Sequence, residues 1–295
     1  MLIEPLNKLP DGKLKFIRDT LSENRERDIL ERLWARFEPY ADANFKTAIA
    51  SEFQSHFWEM YLAVTLLDLG FELHPRTELG DKGPDICISS AETNIWIEAI
   101  ACGISPNDDA ESENESEPVD EQVILRYTSA IAEKFRQYRE YLNTGILSSS
   151  EPYLIAINGS RVPFSLPVDN SYDKIPDIIK AVMPYGDYTE VVDRDTMKTL
   201  KTGYSYRAEI VKPSGNKVAT NIFLSQEYAG ISAILFSNID ISNLPDKDGN
   251  DLLFFRNPTA INPLPIGWLK AGCEYRLEGN KFFKKRWQWV NSGIQ

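Results

Sequence analysis

Apolar residues recur every three or four positions in some stretches of the chain and alternate or run together in others, and each change of period marks an element. Leu14, Ile17 and Leu21, followed by Ile29, Leu30, Leu33, Trp34 and Phe37, make a helical stripe broken at Ser22-Glu23-Asn24 and closed by Pro39. Residues 1–48 are thus expected to form an N-terminal helical arm. From about Ser51 to Leu69 apolar residues occupy nearly every side of the projection (Phe53, Phe57, Trp58, Tyr61, Leu62, Leu66), which predicts a buried helix ended by Gly70. Phe71 to His74 reads as a short strand. Ile86 and Ile88, a turn at Ala91 to Asn94, and the run Ile95 to Ala101 then read as a β-hairpin.

Pro118 and Asp120 open a long helix reaching about Asn143 and closing at Gly145, with Ile124, Ile131, Phe135 and Leu142 as its apolar stripe. Tyr153 to Asn158 follows as a buried strand. Beyond it, proline and tyrosine punctuate short pieces from Arg161 to Lys201, with one brief helical pattern at Ile175 to Val182. Strands are expected at Tyr204–Val211, Ala219–Leu224, Ile231–Phe236 and Leu252–Phe255. Residues 161–295 are therefore expected to be a mixed, β-rich accessory extension packed on a core formed by residues 49–160.

Polar residues inside these apolar patterns carry the candidate chemistry. Asp85 follows Gly83-Pro84 at the mouth of the hairpin, and Glu98 lies within the seven-residue apolar run of its second strand. A carboxylate buried there without a cation would be costly, so either a cation sits beside it or the strand edge is wetter than its composition suggests, and two such carboxylates across a hairpin suggest a divalent-metal site. Glu59 lies on the inner side of the buried helix, where pairing with an arginine or capping a backbone group is the plainer reading. On the long helix, Arg126, Ala130, Lys134, Gln137 and Tyr141 form a row along the border of the apolar stripe. Such a row points into a cleft, or else consists of long side chains that snorkel out of the core.

Charge changes this picture less than its total suggests. The formal charge is −12, but eight acidic residues lie between Asp108 and Glu121, and without them the remainder is −4, so nucleic acid stays open as a partner. The segment 104–120 is expected to be a solvated, disordered acidic loop. Three cysteines without a CxxC spacing suggest a reducing compartment, and two histidines argue against a His-rich metal centre or a triad. No basic-then-apolar leader opens the sequence, and its longest apolar run, near Tyr61 to Leu67, is too short for a bilayer. A cytoplasmic protein without membrane contact is expected. Near the C-terminus, Lys281, Lys284, Lys285 and Arg286 interleave with Phe282, Phe283, Trp287 and Trp289, a pattern suited to nucleic acid and equally to ordinary terminal-strand packing.

The order helix with Glu59 (or Glu52), strand, strand beginning at Pro84-Asp85, strand with Glu98, helix with Gln137-Tyr138-Arg139-Glu140-Tyr141, strand resembles the core of the PD-(D/E)XK nuclease superfamily. The resemblance spans roughly residues 50 to 160. It implies an α/β fold with a restriction-endonuclease-like αβββαβ core. It also implies Mg²⁺ or Mn²⁺ held by Asp85 and Glu98, with Glu59 as direct or water-mediated ligand, and hydrolysis of phosphodiester bonds in nucleic acid, with DNA the expected partner. Gln137 and Tyr141 correspond to the QxxxY pattern of recombination and repair nucleases. One position departs: the lysine expected two residues after Glu98 is Ile100. Lys134 is the expected replacement, with Arg126 or Lys82 as other sources of charge. The alternative is an inactive nuclease-fold module that binds nucleic acid.

Overall fold

The computed structural model describes residues 24–79, 83–90, 93–103, 119–165, 175–212, 214–279 and 281–287. The stripe at Leu14 to Leu21, Lys82 and most of the acidic loop lie outside them.

The three long helical patterns form α1 (Asn24–Phe37), α2 (Phe53–Asp68) and α3 (Val119–Thr144). Gly70 and Gly145 follow α2 and α3 with φ of 87° and 71°, the left-handed conformation that ends a helix where a side chain would be strained. The strands of the first half are β1 (Glu72–Leu73), β2 (Ile86–Ser89), β3 (Ile95–Ala101) and β4 (Tyr153–Asn158). β1, β2 and β3 pair as an antiparallel meander, and β4 returns through α3 to lie parallel to β3. All six residues of β4 are buried, as expected of a strand covered on both faces.

The second half adds β5 (Tyr185–Val192), β6 (Thr199–Tyr206), β7 (Glu209–Val211), β8 (Lys217–Ala219), β9 (Ile231–Ser237), β10 (Leu253–Arg256), β11 (Cys273–Glu278) and β12 (Lys281–Arg286). Four of these extend the first sheet, giving one mixed eight-stranded sheet in the order β1-β2-β3-β4-β9-β10-β11-β12. β9 pairs directly with β4, so the sheet runs through the 160/161 position instead of carrying a separate layer on top. β5–β6 and β7–β8 form two small ribbons.

The sheet separates two cores. α1 and α2 cover one face, where Leu33, Trp34, Phe57 and Trp58 meet Ile97, Leu154 and Leu235. α3 covers the other, where Ile131, Phe135 and Tyr138 meet Trp96, Ile155, Ile234 and Phe255. The N-terminal helix thus belongs to the principal core. A buried polar knot ties the loop before β10 to α2: Tyr61 donates to Asp251, which also accepts from Ser237 Oγ, and the Gly249 N–H donates to Tyr61 Oη at 2.8 Å.

Three expectations are corrected. Tyr204–Val211 is not one strand: β6 ends at Tyr206 and β7 begins at Glu209, in a different ribbon. Ala219–Leu224 is not a strand: β8 ends at Ala219, and Ile222–Leu224 is a single 3₁₀ turn that seats Phe223 against Phe255. A short apolar run carries no period that separates these outcomes. Tyr185–Val192, read as irregular, is a strand of a ribbon whose outer residues are exposed.

Candidate active site

Strand alternation turns Trp96, Glu98 and Ile100 toward α3, and Ile95, Ile97 and Ala99 toward α2. Glu98 is therefore in the α3-side core, with only 4% of its surface exposed. Two side chains from α3 meet it there. Lys134 Nζ donates to Glu98 Oε1 at 2.8 Å, and Tyr141 Oη donates to Glu98 Oε2 at 3.2 Å. Residues seven apart on a helix return to the same face after two turns, so one carboxylate receives both. Gln137 sits between them on that face, and its Oε1 is buried with no hydrogen-bond partner among the described residues.

Asp85, at the mouth of β2, turns its carboxylate across the hairpin and accepts the Ala99 N–H at 2.7 Å through Oδ2. The loop that holds it is fixed by Arg76, which donates to the carbonyls of Pro84 and Gly83. Glu59 approaches from α2, with its Oε2 3.5 Å from His56 Nδ1. Glu52 is exposed just outside the first turn of α2, so Glu59 is the one that joins the group.

The charges act on one another. Burial, and then the neighbouring Asp85, push the Glu98 carboxyl up to about 8 against the opposing pull of Lys134 and Tyr141. Burial pushes Glu59 up to about 7, with Asp85 adding to the rise and His56 opposing it. Burial also raises Asp85, resisted by Lys134, the Ala99 N–H and Arg76. Burial alone would lower Lys134, but Glu98 and Asp85 outweigh it and hold its pKa above the usual lysine value. Asp85 thus raises both Glu98, on the α3 side, and Glu59, on the α2 side, and its own rise is limited by Lys134, the Ala99 N–H, Arg76 and His56.

Asp85, Glu98, Lys134 and Tyr141 are brought together, Gln137 lies on the facing side of α3, and Glu59 joins from behind. Ile100 points to the α3 side as a partly buried apolar residue. Arg126 reaches the carbonyl of Gly103, at 3.5 Å, beyond the end of β3. Sequence reasoning missed Arg76, which sits in a single helical turn, Arg76–Leu79, with no periodic signal. It also left His56 without a role, although the i, i+3 spacing to Glu59 marks the pair.

Among the described residues no group of three or more His, Cys, Asp or Glu side chains is arranged to hold a metal ion. The carboxylates of Asp85, Glu98 and Glu59 and the unpartnered Gln137 Oε1 are hard oxygen donors, the type that Mg²⁺ or Mn²⁺ prefers. Mg²⁺ keeps several waters, so a few protein oxygens are enough to hold it. In donor chemistry the residues fit the ion that the sequence resemblance implies.

No protein-family model, curated protein or solved structure matches the chain. No helix among the described residues is long and apolar enough to cross a membrane.

Proposed function

We propose that this protein is a divalent-metal-dependent nuclease of the PD-(D/E)XK type, acting on DNA. The observation that carries the reading is the 2.8 Å contact of Lys134 with Glu98, because it supplies from α3 the positive charge that Ile100 withholds from β3. Further support comes from the order of elements across Phe53–Asn158. One helix, an antiparallel three-strand meander, a second helix and a strand parallel to β3 correspond to an αβββαβ core.

Asp85 and Glu98, with Glu59 in reserve, are the residues that would hold Mg²⁺ or Mn²⁺. A bound ion supplies a more acidic water and charge stabilisation at phosphate. The chain's own residues do the rest. Lys134 places a cation beside the carboxylates, where it offsets charge gathering on a phosphate oxygen. Tyr141 fixes the orientation of the Glu98 carboxylate. Gln137 offers its free amide oxygen to a water proton. Arg76 holds the Gly83–Pro84 turn so that Asp85 stays in register with Ala99.

Cleavage of plasmid and of linear duplex by the purified protein tests this directly. Mg²⁺ or Mn²⁺ should support cleavage and EDTA should stop it. Asp85→Asn and Glu98→Gln should each abolish it, and Lys134→Ala should slow it by about 10² or more, the loss typical of one charge-stabilising donor. Full activity in Glu98→Gln overturns the site, and DNA binding without metal-dependent cleavage overturns the enzyme.

A further inference from the structure

β12 is the outermost strand of the sheet, and five of its six residues are exposed. Lys281, Lys284 and Lys285 form no ion pair among the described residues, although the chain as a whole is strongly acidic. Two of these cations are set against rings: Lys285 Nζ is 3.5 Å from the centre of the Trp287 ring, and Lys284 Nζ is 5.6 Å from that of Tyr275. The nearby acids are occupied elsewhere. Glu278 accepts from Arg276 at 2.6 Å, and the buried Glu274 accepts from the Gly267 N–H and the Trp287 indole.

The register places this edge in relation to the candidate site. One lateral row of the sheet runs from Glu98 through Ile155, Ile234, Phe255 and Tyr275 to Lys284. Every residue of the row between the two ends belongs to the core on the α3 side, so Lys284 lies on the same face as the buried Glu98, whereas Lys281 and Lys285 lie on the other, and the edge presents charge on both sides. Five strand spacings separate them, about 24 Å.

We propose that the β12 edge is a second, sequence-independent contact for the phosphate backbone of duplex DNA, set about five strand spacings across the sheet from Glu98. The inference rests on the nuclease reading for its partner, whereas the surface itself lies apart from the candidate catalytic residues. Lysines on an exposed edge also guard against strand-to-strand aggregation, and the test separates that role from DNA contact.

The measurement is fluorescence anisotropy of a labelled 20-base-pair duplex with the full chain in EDTA, over a series of salt concentrations. Lys281→Ala/Lys284→Ala/Lys285→Ala should weaken binding at least ten-fold at 100 mM salt. It should also lower the slope of log affinity against log salt, by roughly 0.9 for each of these lysines that meets a phosphate. The Lys→Arg version should bind like wild type, and Lys198→Ala/Lys201→Ala, on the β5–β6 ribbon, should not differ from it. Unchanged affinity and slope in the triple alanine variant, with an unchanged melting curve, overturn the inference even if Glu98→Gln abolishes cleavage. Absence of duplex binding by the wild type overturns it as well. If no cleavage occurs but binding fails in the triple variant, the nuclease reading falls and the contact stands.

Discussion

Glu98 is where the physical conflict of this molecule concentrates. A carboxyl with an ordinary pKa near 4.5 is pushed up to about 8 in the fold, and Glu59 up to about 7. Between those limits the folded chain holds protons that the unfolded chain has released. Unfolding therefore loses protons, and stability falls as pH rises from about 4.5 toward 8. The raised pKa of Lys134 acts in the same sense only above its ordinary value of 10.5, outside this window. Thermal melts without metal should show a lower midpoint at pH 8.5 than at pH 6. Mn²⁺ should narrow that gap by answering the carboxylate charge, and Glu98→Gln should narrow it by removing one such charge. A pH-independent midpoint would show that Glu98 ionises without penalty. Metal affinity should rise through the same range, since a carboxylate must lose its proton to bind.

At the level of elements, α3 is positioned by rings. Tyr138 stacks on Phe135 of its own helix, at 6.1 Å, and meets Tyr153 of β4 at a tilt, at 4.7 Å. Gly230, just before β9, leaves room for it: a Cβ there would fall 2.4 Å from Tyr138 Oη and 2.6 Å from its Cε1. Gly230→Ala must displace the tyrosine and with it the helix segment that carries Lys134 and Tyr141. We expect a loss of about 1–3 kcal/mol in stability, as for other overpacked cores. We also expect slower cleavage with little change in duplex binding, read from melts, kcat and anisotropy.

The elements that could be read in the sequence, and those that could not, divide by how local their cause is. α2 and α3 announced themselves through period and closing glycines, and Glu98 stood out as the lone acid in an apolar strand. The row from Arg126 to Tyr141 anticipated which side of α3 faces a polar site, though only the fold shows that Lys134 and not Arg126 reaches Glu98. Arg76 was invisible because its role is to bind two backbone carbonyls, which leave no mark on side-chain pattern. β5 was missed because most of its residues are exposed, so burial imposes no alternation on them.

For the whole molecule, the consequential pairing is β4 with β9, between segments far apart in sequence and not detectable from either alone. β4 has no exposed residue, and its outer edge is covered only by β9. A chain ended at residue 160 would open that edge and remove Ile231, Ile234, Phe236 and Phe255 from the α3-side core. Such a fragment should be aggregated or unfolded by size-exclusion chromatography and circular dichroism, even though it contains every candidate catalytic residue. A folded, active fragment would show instead that the second half is dispensable.

The contact between Lys134 and Glu98 spans 36 positions of sequence. A lysine two residues along β3 would have come into place with the strand itself, whereas here the pair exists only while α3 is docked. The contact is thereby tied to a local opening equilibrium of α3. Conditions that loosen the helix, mild denaturant or moderate heat, should therefore break the Lys134–Glu98 contact before the sheet melts, and on the proposed reading should silence cleavage at the same point.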